Sequence, residues 1–239
     1  MREPCRTFLD IDDWPRPRST LDMDVLLPAE IVVDLAKMSA VRAVVDRLGY
    51  EVVESGKYMH WERRDEPHAI RLEFLAGPVA DADRAAVQLK GGRVRPRGEL
   101  KFHAFYHPEA LALDVSPTAL PLADGVTVLV PNPYSFLVMK LHAFRDRVDE
   151  EKKDLGRHHA LDIYRVVAML RVPEDLELVA VLAREHAAAP AARDACAIVR
   201  EYFTKLTSIG TLRMREHQLA TREMPFGRVI GLLRELFPA

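Results

Sequence analysis

The feature that most limits how this chain can fold is a change of hydrophobic period near residue 131. Up to about Val130, strand-like segments and turns surround a single clear helix. From Pro133 onward nearly every segment has helical spacing and is rich in Ala, Leu, Arg and Glu. Strands first and helices second predict an α+β fold. Residues 1–131 are expected to form an α/β lobe with a small mixed sheet, and residues 132–239 a helical lobe that closes one side of a cleft. With 239 residues and 49% hydrophobic content, there is enough apolar material for one large domain or two small ones.

In the first zone, Ile31, Leu35, Met38, Val41, Val45 and Leu48 predict one helix over 29–48, stopped by Gly49. Residues 58–63 and 68–75 flank the polar turn Arg64-Asp-Glu-Pro67 and predict a hairpin. Further strands are expected at 110–115 and 126–130, and the basic stretch at 90–98, ahead of both, is expected as a loop. The alternating aromatics of Lys101-Phe-His-Ala-Phe-Tyr-His107 fit a half-buried strand better than a base-stacking surface. In the second zone, Pro131-Asn-Pro133 ends a strand and starts a helix over 134–149. A solvated linker at 149–154 precedes helices near 159–170, 174–188, 191–206 and 225–236.

Composition narrows the partners. The 34 basic and 36 acidic side chains leave a formal charge of -2, so no global field holds the chain on nucleic acid or an acidic membrane. Cys5 and Cys196 are the only cysteines, which argues against a disulfide framework or a four-cysteine zinc site. The amino terminus has no apolar leader core and no later stretch is long enough to span a bilayer, so a cytoplasmic protein is expected.

Chemistry is concentrated in Arg18-Ser-Thr-Leu-Asp-Met-Asp-Val-Leu-Leu27. On a strand, Asp22 and Asp24 share one face with Thr20, while Leu21, Met23 and Val25 share the other. Two carboxylates side by side repel and lose hydration when packed. A hard divalent cation relieves both problems, because Mg²⁺ is held by carboxylates together with phosphate oxygens. The third acid is Glu73, on the same face of its strand as Arg71 and opposite Ile70, Leu72 and Phe74. If that strand lies beside residues 21–27, Glu73 converges on the same cation. The competing reading leaves these acids as solvated or arginine-paired strand residues.

Arg18-Ser-Thr-Leu-Asp-Met-Asp resembles the R-x-T-x-D-x-D pattern of AbiEii-type and related minimal nucleotidyltransferases of the polymerase-beta-like superfamily. Val130-Pro-Asn-Pro-Tyr-Ser-Phe-Leu-Val-Met-Lys-Leu-His-Ala143 resembles that family's V-P-x-P-x-x-x-L-x-x-K-L-x-A segment, and His159-Ala-Leu-Asp-Ile-Tyr164 its following Asp-containing helix. The resemblance implies transfer of a nucleoside monophosphate from a nucleoside triphosphate (NTP) to an acceptor hydroxyl, with Mg²⁺ or Mn²⁺ as cofactor. The acceptor is an RNA, a protein or a small molecule. A toxin–antitoxin context, with an antitoxin as partner, is implied in the same way. Asp22 and Asp24 would hold the metals on the triphosphate, and Glu73, where the family usually has Asp, the metal at the acceptor. Arg18 would contact phosphate or the acceptor, Lys140 would neutralise phosphate charge, Thr20 would belong to the nucleotide-binding set, and Asp162 would be a second-lobe polar contact or helper base.

One departure stands out. The family's glycine turn, which cradles the triphosphate upstream of the acidic pair, has no counterpart before Gly49. This implies a truncated start or a lost phosphate loop. It sustains a second reading, a catalytically degenerate module that binds a nucleotide or another partner. A third reading is a metal-dependent phosphohydrolase built on His158, His159 and Asp162, since imidazole and carboxylate together bind transition metals.

Overall fold

The computed structural model describes residues 22–53, 58–65, 68–110, 115–122, 125–170 and 172–238. Strand β4, His68–Ala76, runs through the centre of the first unit, Arg18–Leu113. It pairs antiparallel with β3, His60–Asp65, forming the hairpin expected from the alternation. Strand β1, Asp22–Leu27, lies parallel to β4 on its other side. The rest of the seven-stranded mixed sheet adds β2 (Glu51–Val52), β5 (Val87–Lys90), β6 (Arg93–Pro96) and β7 (Ala104–Tyr106) in the order β2-β3-β4-β7-β6-β5. The architecture is α+β, a half-barrel of mixed sheet followed along the chain by a region of several helices.

The apolar face of this sheet is closed by helix. The single helix expected over 29–48 is two: α1, Ala29–Val32, and α2, Leu35–Arg47. The break falls at Asp34, whose carboxylate accepts hydrogen bonds from the Ala36 and Lys37 amides at 2.8 and 3.1 Å. An aspartate satisfies a helix start far better than a helix interior, so the chain restarts there. Met38 and Val45 of α2 then pack in a core with Trp61, Leu72, Phe74, Val94, Phe102 and Ala104. Trp61 and Phe102 are fully buried, and the Phe74 and Phe102 rings lie 4.7 Å apart.

The basic stretch expected as a loop is instead the β5–β6 hairpin. Gly91 and Gly92 both have positive φ, +58° and +71°, which a tight two-residue hairpin turn requires and which glycine adopts without strain. The strand expected at 101–107 shortens to β7, with Phe102 and Ala104 turned into the core. The one expected at 110–115 falls largely on residues 111–114, outside the described residues.

The second unit is built around Asp114–Ala239. It opens with a two-stranded sheet, β8 (Thr118–Pro121) and β9 (Thr127–Val130). Helices α3 (Pro133–Arg145), α4 (Arg157–Met169), α5 (Pro173–Glu185), α6 (Pro190–Tyr202), α7 (Ile209–Glu216) and α8 (Phe226–Leu236) follow. Asn132 caps α3 by accepting from the Ser135 amide at 2.9 Å, and Pro133 fills the first helical position. The charged linker contains a 3₁₀ turn, Glu151–Gly156. Tyr134, Leu137, Leu141, Phe144, Leu161, Tyr164 and Phe203 form a fully buried centre. Among the described residues, no helix is long and apolar enough to cross a membrane.

Helix α7 was not expected, and Gly210 explains both its presence and its concealment. A Cβ at Gly210 would meet the Phe203 ring at 2.4 Å and the Tyr202 carbonyl oxygen at 2.6 Å. The helix is held by close backbone approach, which leaves no apolar stripe to read. Gly210→Ala is expected to destabilise the protein by about 1–3 kcal/mol through overpacking. At Gly231, inside α8, an added Cβ meets nothing within 4 Å. Gly231→Ala is therefore expected to stabilise by roughly 0.5–1 kcal/mol. Thermal denaturation of the two variants should move in opposite directions.

Candidate functional site

Alternation along β4 decides which side chains meet. Leu72 and Phe74 are buried against α2, so Arg71 and Glu73 must stand on the opposite face. The parallel register places Asp22 beside Arg71 and Asp24 beside Glu73. Across the other edge, β3 sets Glu62 against Arg71 and His60 against Glu73. Three adjacent strands thus present Asp22, Asp24, Glu62 and Glu73 on one face with Arg71 and His60. The sequence expectation that Glu73 shares a face with the aspartate pair matches this geometry.

The polar side chains are tied together loosely. Arg71 lies 3.7 Å from Asp22 and 4.0 Å from Glu62, and His60 Nε2 lies 3.4 Å from the Glu73 carboxylate. Burial pushes the Glu73 carboxyl above its usual range; His60 and Arg71 pull it down, and Asp24 and Asp22 push it further up. Both aspartates therefore act electrostatically on Glu73. Among the described residues, no three His, Cys, Asp or Glu side chains stand close enough to hold a metal ion. The donors nevertheless suit a hard cation, being carboxylate oxygens on neighbouring strands. Exposed ion pairs such as Arg71–Asp22 are worth at most about 1 kcal/mol, so they are no barrier to exchange for a divalent ion.

The remaining sequence candidates divide. Arg18 and Thr20 lie outside the described residues. In the helical unit, Lys140 of α3 and Asp162 of α4 meet in a 2.9 Å ion pair, with side chains 20% and 17% exposed. Arg165 also approaches Asp162, at 3.3 Å. Two cations around one carboxylate leave this cluster with a net positive charge. Lys140 is thus more enclosed than a surface lysine on an amphipathic helix, and its ammonium also lies 5.0 Å from the Phe136 ring.

His158 is engaged with a residue that sequence reasoning missed. Its Nδ1 lies 2.8 Å from Nε2 of His217, and its Nε2 lies 3.5 Å from Asp154. The Leu219 amide donates to His217 Nδ1 at 3.1 Å. That nitrogen therefore carries no proton; Nε2 does, and it donates to His158. The chain of bonds then ends with His158 Nε2–H facing the Asp154 carboxylate. Burial first, then the neighbouring His158 and Arg165, hold the His217 pKa below its ordinary value, against weaker pulls from Asp154 and Asp162. No spacing signal links positions 59 residues apart, so only folding reveals the pair.

Two stability effects follow. Glu73→Gln removes a carboxylate whose charge burial disfavours, and is expected to raise the melting temperature at neutral pH by about 1–3 °C. Because the folded carboxyl titrates above the unfolded one, wild type gains stability relative to Glu73→Gln as pH falls towards 4.5. His217 works in the other direction. Its folded pKa is depressed, so the unfolded chain binds more protons as pH drops below about 6.5, and stability falls. Denaturant titrations between neutral pH and pH 5 should show that loss in wild type and a smaller one in His217→Gln. No protein-family model matches this chain, and no curated protein and no solved structure matches it either.

Proposed function

We propose that this protein is a divalent-cation-dependent nucleotidyltransferase, moving a nucleoside monophosphate from an NTP to an acceptor hydroxyl. The observation that carries this reading is the in-register pairing of Asp24 with Glu73, beside Asp22, on the solvent face of two parallel strands. Such a grouping is electrostatically unfavourable without a cation, and burial makes Glu73 costlier still.

Asp22 and Asp24 would hold Mg²⁺ or Mn²⁺ against the triphosphate, and Glu73, the register partner of Asp24, would stand on the acceptor side. When bound, the cation neutralises phosphate charge and eases deprotonation of the acceptor. In the transfer, the acceptor oxygen attacks the α-phosphorus, the bond to the bridging β-phosphate oxygen breaks, and pyrophosphate leaves. Glu73 is the candidate base for the hydroxyl proton. His60 at 3.4 Å keeps that carboxylate oriented.

A second reading, a nucleotide- or partner-binding protein without chemistry, is favoured by the pairing of Asp22 with Arg71 and of Glu73 with His60. Incubating the protein with each α-labelled NTP, Mg²⁺ or Mn²⁺, and RNA, protein or small-molecule acceptors distinguishes the two. Transfer is expected with wild type and is expected to fall about 100-fold or more in Asp22→Asn and in Asp24→Asn, since each loses a charged metal-binding oxygen. Full activity in either variant would remove the metal assignment. Metal-dependent binding of a non-hydrolysable NTP analogue without any transfer would establish the second reading.

A further inference from the structure

We propose that the first unit carries a binding groove for single-stranded nucleic acid, on the side of the sheet away from β1. The groove has a volume of about 1200 Å³ and is lined by Arg93, Arg95, Lys101, His103 and Tyr58, with the Arg42–Asp46 pair in its wall. That volume exceeds the roughly 300–1,000 Å³ of ordinary small-molecule sites. The groove is also open to solvent.

Its chemistry is that of a polyanion site. Arg42 is committed to structure: it holds Asp46 through two bonds of 2.7 and 2.8 Å, donates to the Lys101 carbonyl at 3.1 Å, and stacks 4.0 Å above Trp61. Arg95 gives one guanidinium N–H to the Gly98 carbonyl and keeps its other donors. Arg93, Arg95 and Lys101 then face a single uncommitted carboxylate, Glu99, so phosphate is favoured over a cation. Two rings sit among these charges. Tyr58 and His103 meet edge to face with centroids 5.6 Å apart, and Lys101 lies 5.9 Å from the Tyr58 ring. Tyr58 also holds a φ of +68°, which bulky residues rarely adopt. Cations that track a backbone, interleaved with aromatic rings that stack bases, are the means by which proteins hold single strands without reading sequence.

Register connects the groove to the carboxylates. Arg93 pairs with Phe105, and Phe105 with Leu75, so Arg93 and Arg95 share a sheet face with Glu73. They stand two strands away, about 10 Å by strand spacing. His60 and Phe105 bridge the interval, their ring centroids 5.1 Å apart. A strand held by Arg93 and Arg95 would lie on the sheet face that carries Glu73, although the Arg42–Asp46 wall of the groove comes from α2 on the opposite face. The strand's role as the acceptor rests on the nucleotidyl-transfer reading; its binding does not.

The test is fluorescence anisotropy with a labelled single-stranded RNA oligomer about 12 nucleotides long, within the range one such groove covers. It is run in EDTA without NTP, so that transfer plays no part. Binding is expected, with affinity falling steeply as salt rises. Arg93→Gln/Arg95→Gln should weaken it at least about 10-fold and reduce the log–log salt slope by about 1.4, at roughly 0.7 per phosphate contact. Lys101→Gln, at an exposed side chain, is the independent check and should weaken binding in the same direction. Tyr58→Ala should weaken binding of the oligomer but not of inorganic polyphosphate. The proposal is overturned by absence of binding, by equal affinity in the Arg93/Arg95 and Lys101 variants, by tighter binding of an RNA duplex, or by polyphosphate binding as well as the oligomer with no effect of Tyr58→Ala. A protein that binds the oligomer but transfers nothing overturns the transfer reading alone. One that transfers to another acceptor without binding the oligomer overturns this proposal alone.

Discussion

The burial of Leu72 and Phe74 against α2 is the constraint from which the candidate site follows. Side chains on a strand alternate, so fixing these two inward fixes Arg71 and Glu73 outward. A slip of one residue would drive Glu73 into the apolar core, where an unpaired carboxylate is not tolerated. Leu27 anchors β1 by the same logic: it is buried, pairs with Ala76, and so sets Asp24 opposite Glu73. The apolar residues determine the register, and the register places the acids. Helix α2 takes part without touching the carboxylates, because Met38 and Val45 supply the surface that holds the inward face.

What could be read from sequence depended on whether the determining interaction was local. The β3–β4 hairpin was legible because its alternation is unbroken, and the shared face of Asp22, Asp24 and Glu73 follows from parity alone once β1 and β4 are adjacent. Adjacency itself was an assumption. The split of the first helix lay in Asp34, whose capping role outweighed a continuous apolar spacing. The β5–β6 hairpin was concealed by its arginines: charge suggested a loop, although two glycines between Leu89 and Val94 are a hairpin turn. His60 beside Glu73, Lys140 beside Asp162 and His158 beside His217 are pairings across 13, 22 and 59 residues, and no short-range pattern encodes them.

The carboxylate face carries an electrostatic imbalance. Asp22, Asp24, Glu62 and Glu73 are opposed by Arg71 and by His60, which carries charge only when protonated. Arg71 is shared between Asp22 and Glu62 at 3.7 and 4.0 Å, distances at which neither pair is a strong hydrogen bond. Burial is the main cause of the raised Glu73 pKa; Asp24 and Asp22 add to it, against His60 and Arg71. Structural ion pairs elsewhere in this chain are shorter and better matched. Arg42 grips Asp46 at 2.7 Å, and Arg213 and Arg157 hold Glu216 at 2.7 and 3.1 Å, lowering its pKa. Strained titratable groups concentrate where a ligand later supplies the missing charge.

The same sheet face changes sign across its width. Acids dominate on β1 and β4, and arginines on β6, with His60 and Phe105 between them. The chain as a whole is nearly neutral, so this polarity is a local arrangement and not a by-product of composition. A ligand with phosphates at one end and a cation-bound triphosphate at the other experiences the two halves differently, because each half attracts what the other repels. Under the proposed reading, such a face would orient a strand and a nucleotide relative to each other before any contact is specific, and orientation of reacting groups is a large source of rate in group transfer.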